Sequence, residues 1–129
     1  MSAMSDYLEN KILDHTLGTT AYTHPSQTYI GLSTGSFADS GSGTSELSGS
    51  NYSRVAINFD AASGGTTDNS ATVEFAAATG SWGAVSHFGL FDAASSGNLL
   101  IHGAFSAAKT ITTGDILRVA GGELDVTAA

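Results

Sequence analysis

The fold turns on residues 84–105, AVSHFGLFDAASSGNLLIHGAF, which hold two histidines, an aspartate and three phenylalanines. Either these side chains converge on a reactive site or they form the middle of a sheet. AASSGN (93–98) has the Ser, Gly and Asn chemistry of a hairpin turn. AVSHFGLF (84–91) and NLLIHGAF (98–105) flank it as two strands. With the turn centred on Ser95 and Ser96, Gly89 faces His102, and His87 lies diagonally across on the same face. Two imidazoles so placed could share a metal ion, but zinc sites use three or four protein ligands. Asp92 does not supply the third, because it alternates to the other face or belongs to the turn. A slip of one residue would also move either ring to the opposite face. The stretch therefore reads as a central hairpin carrying half-buried, hydrogen-bonded histidines, with no metal. Phe88, Leu90, Phe91, Leu99, Leu100 and Ile101 supply both of its faces. A sheet apolar on both faces must be covered on both, and the nearest cover is a helix.

Residues 5–18 predict that helix. Ser5 is placed to N-cap it, and Asp6 and Glu9 stand in the first turn, where the helix dipole favours anions. Leu8, Ile12 and His15 lie on one stripe, widened by Leu13 and Leu17, and Gly18 is a C-terminal stop. Tyr7, Leu8, Ile12 and Leu17 are expected to dock it. Beyond the helix the period changes to two. TYIGLS (28–33), RVAINF (54–59), ATVEFA (71–76), TIT (110–112), DILRV (115–119) and ELDV (123–126) join the two hairpin strands. About eight short strands with Gly, Ser, Thr and Asp turns predict a mainly β fold. The expected form is an antiparallel β-sandwich or small, jelly-roll-like barrel with one N-terminal α-helix. Residues 1–129 are read as a single domain with a β core at 52–127. Residues 33–51, STGSFADSGSGTSELSGSN, are read as a flexible Gly/Ser-rich loop or arm, since a loop of this length is uncommon in a compact domain. Phe37 and Leu47 favour an arm that orders against a neighbouring subunit. Deleting 36–50 is expected to weaken binding to a partner and leave the fold intact.

Composition excludes several functions. Charged residues make up 12% of the chain, about half the usual ~25%, so the surface is neutral and rich in hydroxyls. The formal net charge is −8, and the cations are Lys11, Arg54, Lys109 and Arg118. Four scattered cations make no phosphate-binding stripe, which argues against nucleic acid and anionic membranes. The absence of cysteine removes disulfides and thiolate chemistry. No leader-like or membrane-spanning apolar run is present. Catalytic patterns are missing as well. There is no G-x-S-x-G elbow, and GSGTSELSG lacks the lysine of a phosphate loop. GGTTDNS (64–70) offers Asp68 and Asn69, too few oxygens for calcium. The chain is read as a non-enzyme without cofactors. Trp82, Tyr52 and Tyr22 are the candidates for stacking on a sugar, although a lone Trp more often caps a core.

Three stretches in order carry a family resemblance: SDYLENKILDHTLGTTAY (5–22) leading into YIGLSTG (29–35), SWGAVSHFGLFDAASSGNLLIHGAF (81–105), and KTITTGDILRVAGGELDVT (109–127). Between the first and second lies an N-Y-x-R strand start at Asn51, Tyr52, Ser53 and Arg54. Together they resemble small tailed-phage virion proteins usually labelled tail fibre proteins. The resemblance covers nearly the whole chain, is weakest over 36–50, and contains no catalytic signature. It implies a structural virion component. With the chain's size, the expected form is a head decoration (cement) protein that stabilises the capsid shell; the alternative is a tail fibre or tail-tip module that contacts a receptor or carbohydrate. The implied partners are the major capsid protein or tail proteins of the same phage, and further copies in a homo-oligomer, a trimer being favoured. The implied location is the virion, on the outer surface of the head or the tail. Phe37, Leu47, Tyr52, Arg54, Trp82 and Arg118 are the interface candidates.

Overall fold

A computed structural model describes residues 2–41 and 45–128. Within them the chain runs β1 (Ser2–Met4), α1 (Asp6–Thr16), β2 (Thr28–Ser33), β3 (Val55–Ile57), β4 (Thr66–Asp68), β5 (Val73–Glu74), β6 (Gly83–Phe91), β7 (Leu99–Ile111), β8 (Arg118–Val119) and β9 (Asp125–Thr127). The main sheet has the order β1-β7-β6-β2-β3, and all its pairings are antiparallel. Two ribbons, β4-β9 and β5-β8, form the second layer. The mainly β, antiparallel fold with one helix is thus as expected. The closed barrel is not, because the main sheet ends at free edges on β1 and β3.

The hairpin forms as its residues predict, with Gly89 opposite His102. Asp92 belongs to the turn: its carboxylate accepts the Asn98 backbone N–H at 2.7 Å and the Asn98 side-chain amide at 2.9 Å. Ser96 and Gly97 take positive φ of 55° and 73°. Two irregularities shape the sheet. Leu90 pairs with Ile101 but Phe91 with Leu99, which leaves Leu100 as an extra residue. Farther along, Val85 pairs with Lys109 and His87 with Ala104, so Ser86 alone stands opposite residues 105–108. Bulges of this kind flip the alternation and strengthen the twist. As a result Val85, Phe88 and Leu90 all face one core. The 110–112 strand of the sequence reading is the far end of β7, and β1 and β4 were not foreseen.

The main core lies between the five-stranded sheet and the ribbons. Ile30, Leu32, Ile57, Phe88 and Leu90 meet Val73, Phe75, Leu117, Val119, Leu124 and Val126 there. The opposite face of the hairpin has its own small cluster of Phe37, Phe91 and Leu99. Its cover is the 34–41 segment, not the helix. Two glycines paired through the register, Gly31 and Gly89 by way of β2 and β6, make room for it. A Cβ on Gly89 would meet Phe37 at 3.2 Å and Leu99 at 3.0 Å.

Ser5 caps α1 as expected, accepting the Leu8 N–H at 3.2 Å, and Gly18 follows the helix at φ 84°. The Ser5 backbone N–H donates to Leu100 O at 2.8 Å, which fastens the helix start to β7. Only Leu8 of the helix is buried. Leu17 does not dock: it is 76% exposed and Leu13 is 56% exposed, while Leu8 is the buried residue of α1.

Candidate interaction surface

The N-Y-x-R segment builds a tightly connected polar cluster. Asn51, at φ 67°, donates its amide to Ala77 O at 3.0 Å; asparagine tolerates the left-handed region better than most residues. Tyr52 stacks on Phe75 at 6.2 Å and meets Trp82 edge-on at 5.6 Å. Its hydroxyl accepts the Leu32 N–H at 2.9 Å and donates to Glu46 Oε2 at 2.8 Å. Leu32 needs that partner because β3 has already ended beside it. Burial pushes the Tyr52 hydroxyl far above its ordinary 10, and the adjacent Glu46 carboxylate adds to the rise against the opposing Leu32 N–H. Arg54 grips Glu46 with two bonds of 2.8 Å, donates to Ala93 O and Ser96 O, and lies 3.5 Å over the Phe91 ring. A bidentate pair of this kind is strong and directional. Here it joins the 45–47 segment, the β3 start and the hairpin turn.

The two histidines do not converge on each other. His87 has Ser86 Oγ 2.7 Å from Nδ1 and Ser36 Oγ 3.3 Å from Nε2. His102 Nε2 lies 2.7 Å from Asp39 Oδ1. Each ring therefore holds the 36–39 segment against the sheet. Among the described residues no group of three metal-ligating side chains occurs.

The stretch 33–51 is thus docked on its own fold where it is described; residues 42–44 lie outside the described residues. Phe37 is 3% exposed, the Asp6 N–H donates to Asp39 O, and the Leu47 N–H donates to Leu32 O. Phe37 and Glu46, which were expected to belong to a flexible loop or arm, find partners within the chain.

Trp82 is 6% exposed and donates its indole N–H to Ser50 O at 3.0 Å. With Tyr52 on it and Phe75 nearby, it offers no open face to a sugar. Tyr52 is likewise engaged, which leaves Tyr22, half-buried, of the three stacking candidates. Asn69 is a cross-link that sequence reasoning missed. It is 1% exposed, donates to Ala71 O and Ala120 O, and accepts the Leu124 N–H.

Arg118 is exposed and pairs with Glu74 at 2.7 Å. Beside it, under the 105–108 bulge, a cleft of about 220 Å³ opens. Its apolar walls include Val85, Phe88, Phe105, Leu117 and Leu124, and Lys109, Arg118, Glu123 and Asp125 stand around it. Among the described residues, Leu13, Leu17 and Ile116 are the large exposed apolar side chains.

With this geometry in place, a comparison with known families matches residues 3–127 to one described as podophage GP4 fiber I protein gp80. The chain belongs to that family. No curated protein matches it. The resemblance drawn from the motifs therefore holds, and it is to a phage fibre-type structural family. Among the described residues of this fiber I family member, no helix is long and apolar enough to cross a membrane. Of its six interface candidates, Phe37 and Trp82 are buried within the chain. Tyr52, Leu47 and Arg54 are packed into its interior contacts, and Arg118 is left on the surface. Besides Asn69, sequence reasoning missed Glu46, Asp39 and Lys109. Glu46 had a signal, being the one carboxylate between Asp39 and Asp60 and only eight residues before Arg54.

Proposed function

We propose that the protein is a fibre-type component of the phage virion that works by contact, without catalysis. The family match over residues 3–127 carries this reading. The placement of the polar groups supports it. Arg54, Glu46, Tyr52, Asn69 and both hairpin histidines are tied to the chain's own backbone or side chains. Charged residues make up only 12% of the chain, and the core of a protein–protein interface is depleted of charge. Partners on this reading are tail proteins of the same phage and further copies of the chain, a trimer being favoured. Attachment to the head as a decoration protein, with the major capsid protein as partner, is the second reading. The low content of charged residues favours it equally.

Copy number and location in purified virions test both. Quantitative mass spectrometry and antibody labelling in the electron microscope should find a few copies on the tail for a fibre. Abundance near that of the major shell protein, with label over the head, would instead establish decoration. Absence from the particle would overturn both.

A further inference from the structure

Two features of the surface are unmatched within the chain and match each other. The first is the cleft under the β7 bulge. At about 220 Å³ it falls below the roughly 300–1,000 Å³ of small-molecule sites, and it suits an inserted side chain better than a free ligand. Its floor is apolar, from Val85, Phe88, Leu117 and Leu124. Its rim carries Lys109 and Arg118, two of the four cations of a chain with net charge −8. Arg118 already faces Glu74, and Glu123 caps its own turn by accepting the Ala120 N–H. Asp125 also stands on the rim, paired through β9 with Asp68. Lys109 is exposed and, among the described residues, forms no ion pair.

The free edge of β7 is the obvious rival contact, since β1 covers it only from Ile101 to Gly103. A bulge and a lysine are, however, the devices that keep an edge from pairing, and 105–109 has both. Recognition there falls to the cleft.

The second feature is the far end of α1. Leu13 and Leu17 stand one turn apart on the same stripe, largely exposed. Asp14 lies between them in sequence and is exposed. A helix C-terminus adds a partial negative charge of its own. This end therefore presents aliphatic side chains beside the carboxylate of Asp14.

The geometry points to a self-interaction: the Leu13/Leu17 end of α1 in one copy inserts into the Lys109 cleft of a second copy, with Asp14 facing Lys109. The knob and the cleft are different surfaces, so the contact is head-to-tail and builds either a closed ring or an open chain of copies. It deepens the reading of the protein as a multi-copy virion component, and it does not depend on whether that component sits on head or tail.

Light scattering after size-exclusion chromatography tests it on the purified full chain. Wild type should elute as an oligomer. Leu13→Asp with Leu17→Asp, or Lys109→Glu alone, should shift the mass to that of one chain, with unchanged circular dichroism because all three side chains are exposed. Asp14→Lys should likewise dissociate it. The double variant Asp14→Lys with Lys109→Glu should restore the oligomer, which a merely structural role of either residue would not produce. A monomeric wild type at high micromolar concentration overturns the inference and leaves the virion placement standing. So does an oligomer indifferent to these variants, or a charge swap that fails to restore it.

Discussion

Arg54 carries four hydrogen bonds and a ring contact with its side chain 9% exposed. Surface pairs contribute little, but breaking a largely buried pair leaves the partner charge without compensation, at a cost of about 3–5 kcal/mol. Glu46 keeps 20% exposure, so Arg54→Ala should cost about 3 kcal/mol, the lower end of that range. The urea midpoint at neutral pH measures it; a change no larger than that of Arg118→Ala, whose pair is open to solvent, would refute it. Tyr52 gives a pH signature. Its folded hydroxyl titrates above the ordinary 10. Below about pH 10 both folded and unfolded chains keep the proton, and the stabilisation is complete. Above it the unfolded chain releases the proton while the folded chain holds it, so stability falls as pH rises. Tyr52→Phe should cost about 1–3 kcal/mol at neutral pH by stranding the Leu32 N–H. It should also show a shallower loss than wild type between about pH 9 and about pH 11. Parallel curves would mean that Tyr52 does not titrate differently on folding.

At the scale of elements, the hairpin and the 34–41 segment behave differently. The β6–β7 register follows from alternation and from a turn whose Asp92, Gly97 and Asn98 sit within a few residues. Its cover follows from nothing local. Phe37 closes that face by meeting Phe91 edge-on at 5.8 Å. Truncating a buried phenylalanine costs about 3–5 kcal/mol. Because Phe37 belongs to a cluster separate from the main core, Phe37→Ala should free its segment before the sheet. Limited proteolysis should cut near residues 36–41 while the hairpin amides stay protected from hydrogen exchange. Cutting only after global unfolding would count against a separately detachable cover. The helix shows the converse. Its caps were legible because Ser5 and Gly18 act within one turn. Its docking was not, because the stripe from Leu8 to Leu17 is continuous in sequence but only Leu8 meets the sheet deeply.

Across the whole molecule, the 33–51 stretch links the layers. Phe37 fills one face, Asp39 meets His102, Glu46 meets Arg54, and Leu47 packs on the main core. Deleting 36–50 should therefore lower the thermal midpoint by well over the 4–8 °C that one kcal/mol is worth in a small domain. It should not leave the fold intact, as its Gly/Ser content had suggested. Calorimetry decides, and an unchanged midpoint would restore the picture of a free arm.

The sequence by itself determined the fold class, the hairpin and its facing residues, the helix caps and the phage family. These depend on period, turn chemistry, capping and motif order, which act over a few residues. The tertiary structure alone decided which side chains are outside. Trp82, Phe37 and Arg54 have compositions suited to an interface, yet they are interior, while Leu13, Leu17 and Lys109 remain outside. The reason is physical. Burial and charge pairing depend on contacts such as Asp39 with His102 or Asn69 with Leu124, more than fifty residues apart, and no local pattern encodes which distant partner a side chain will meet.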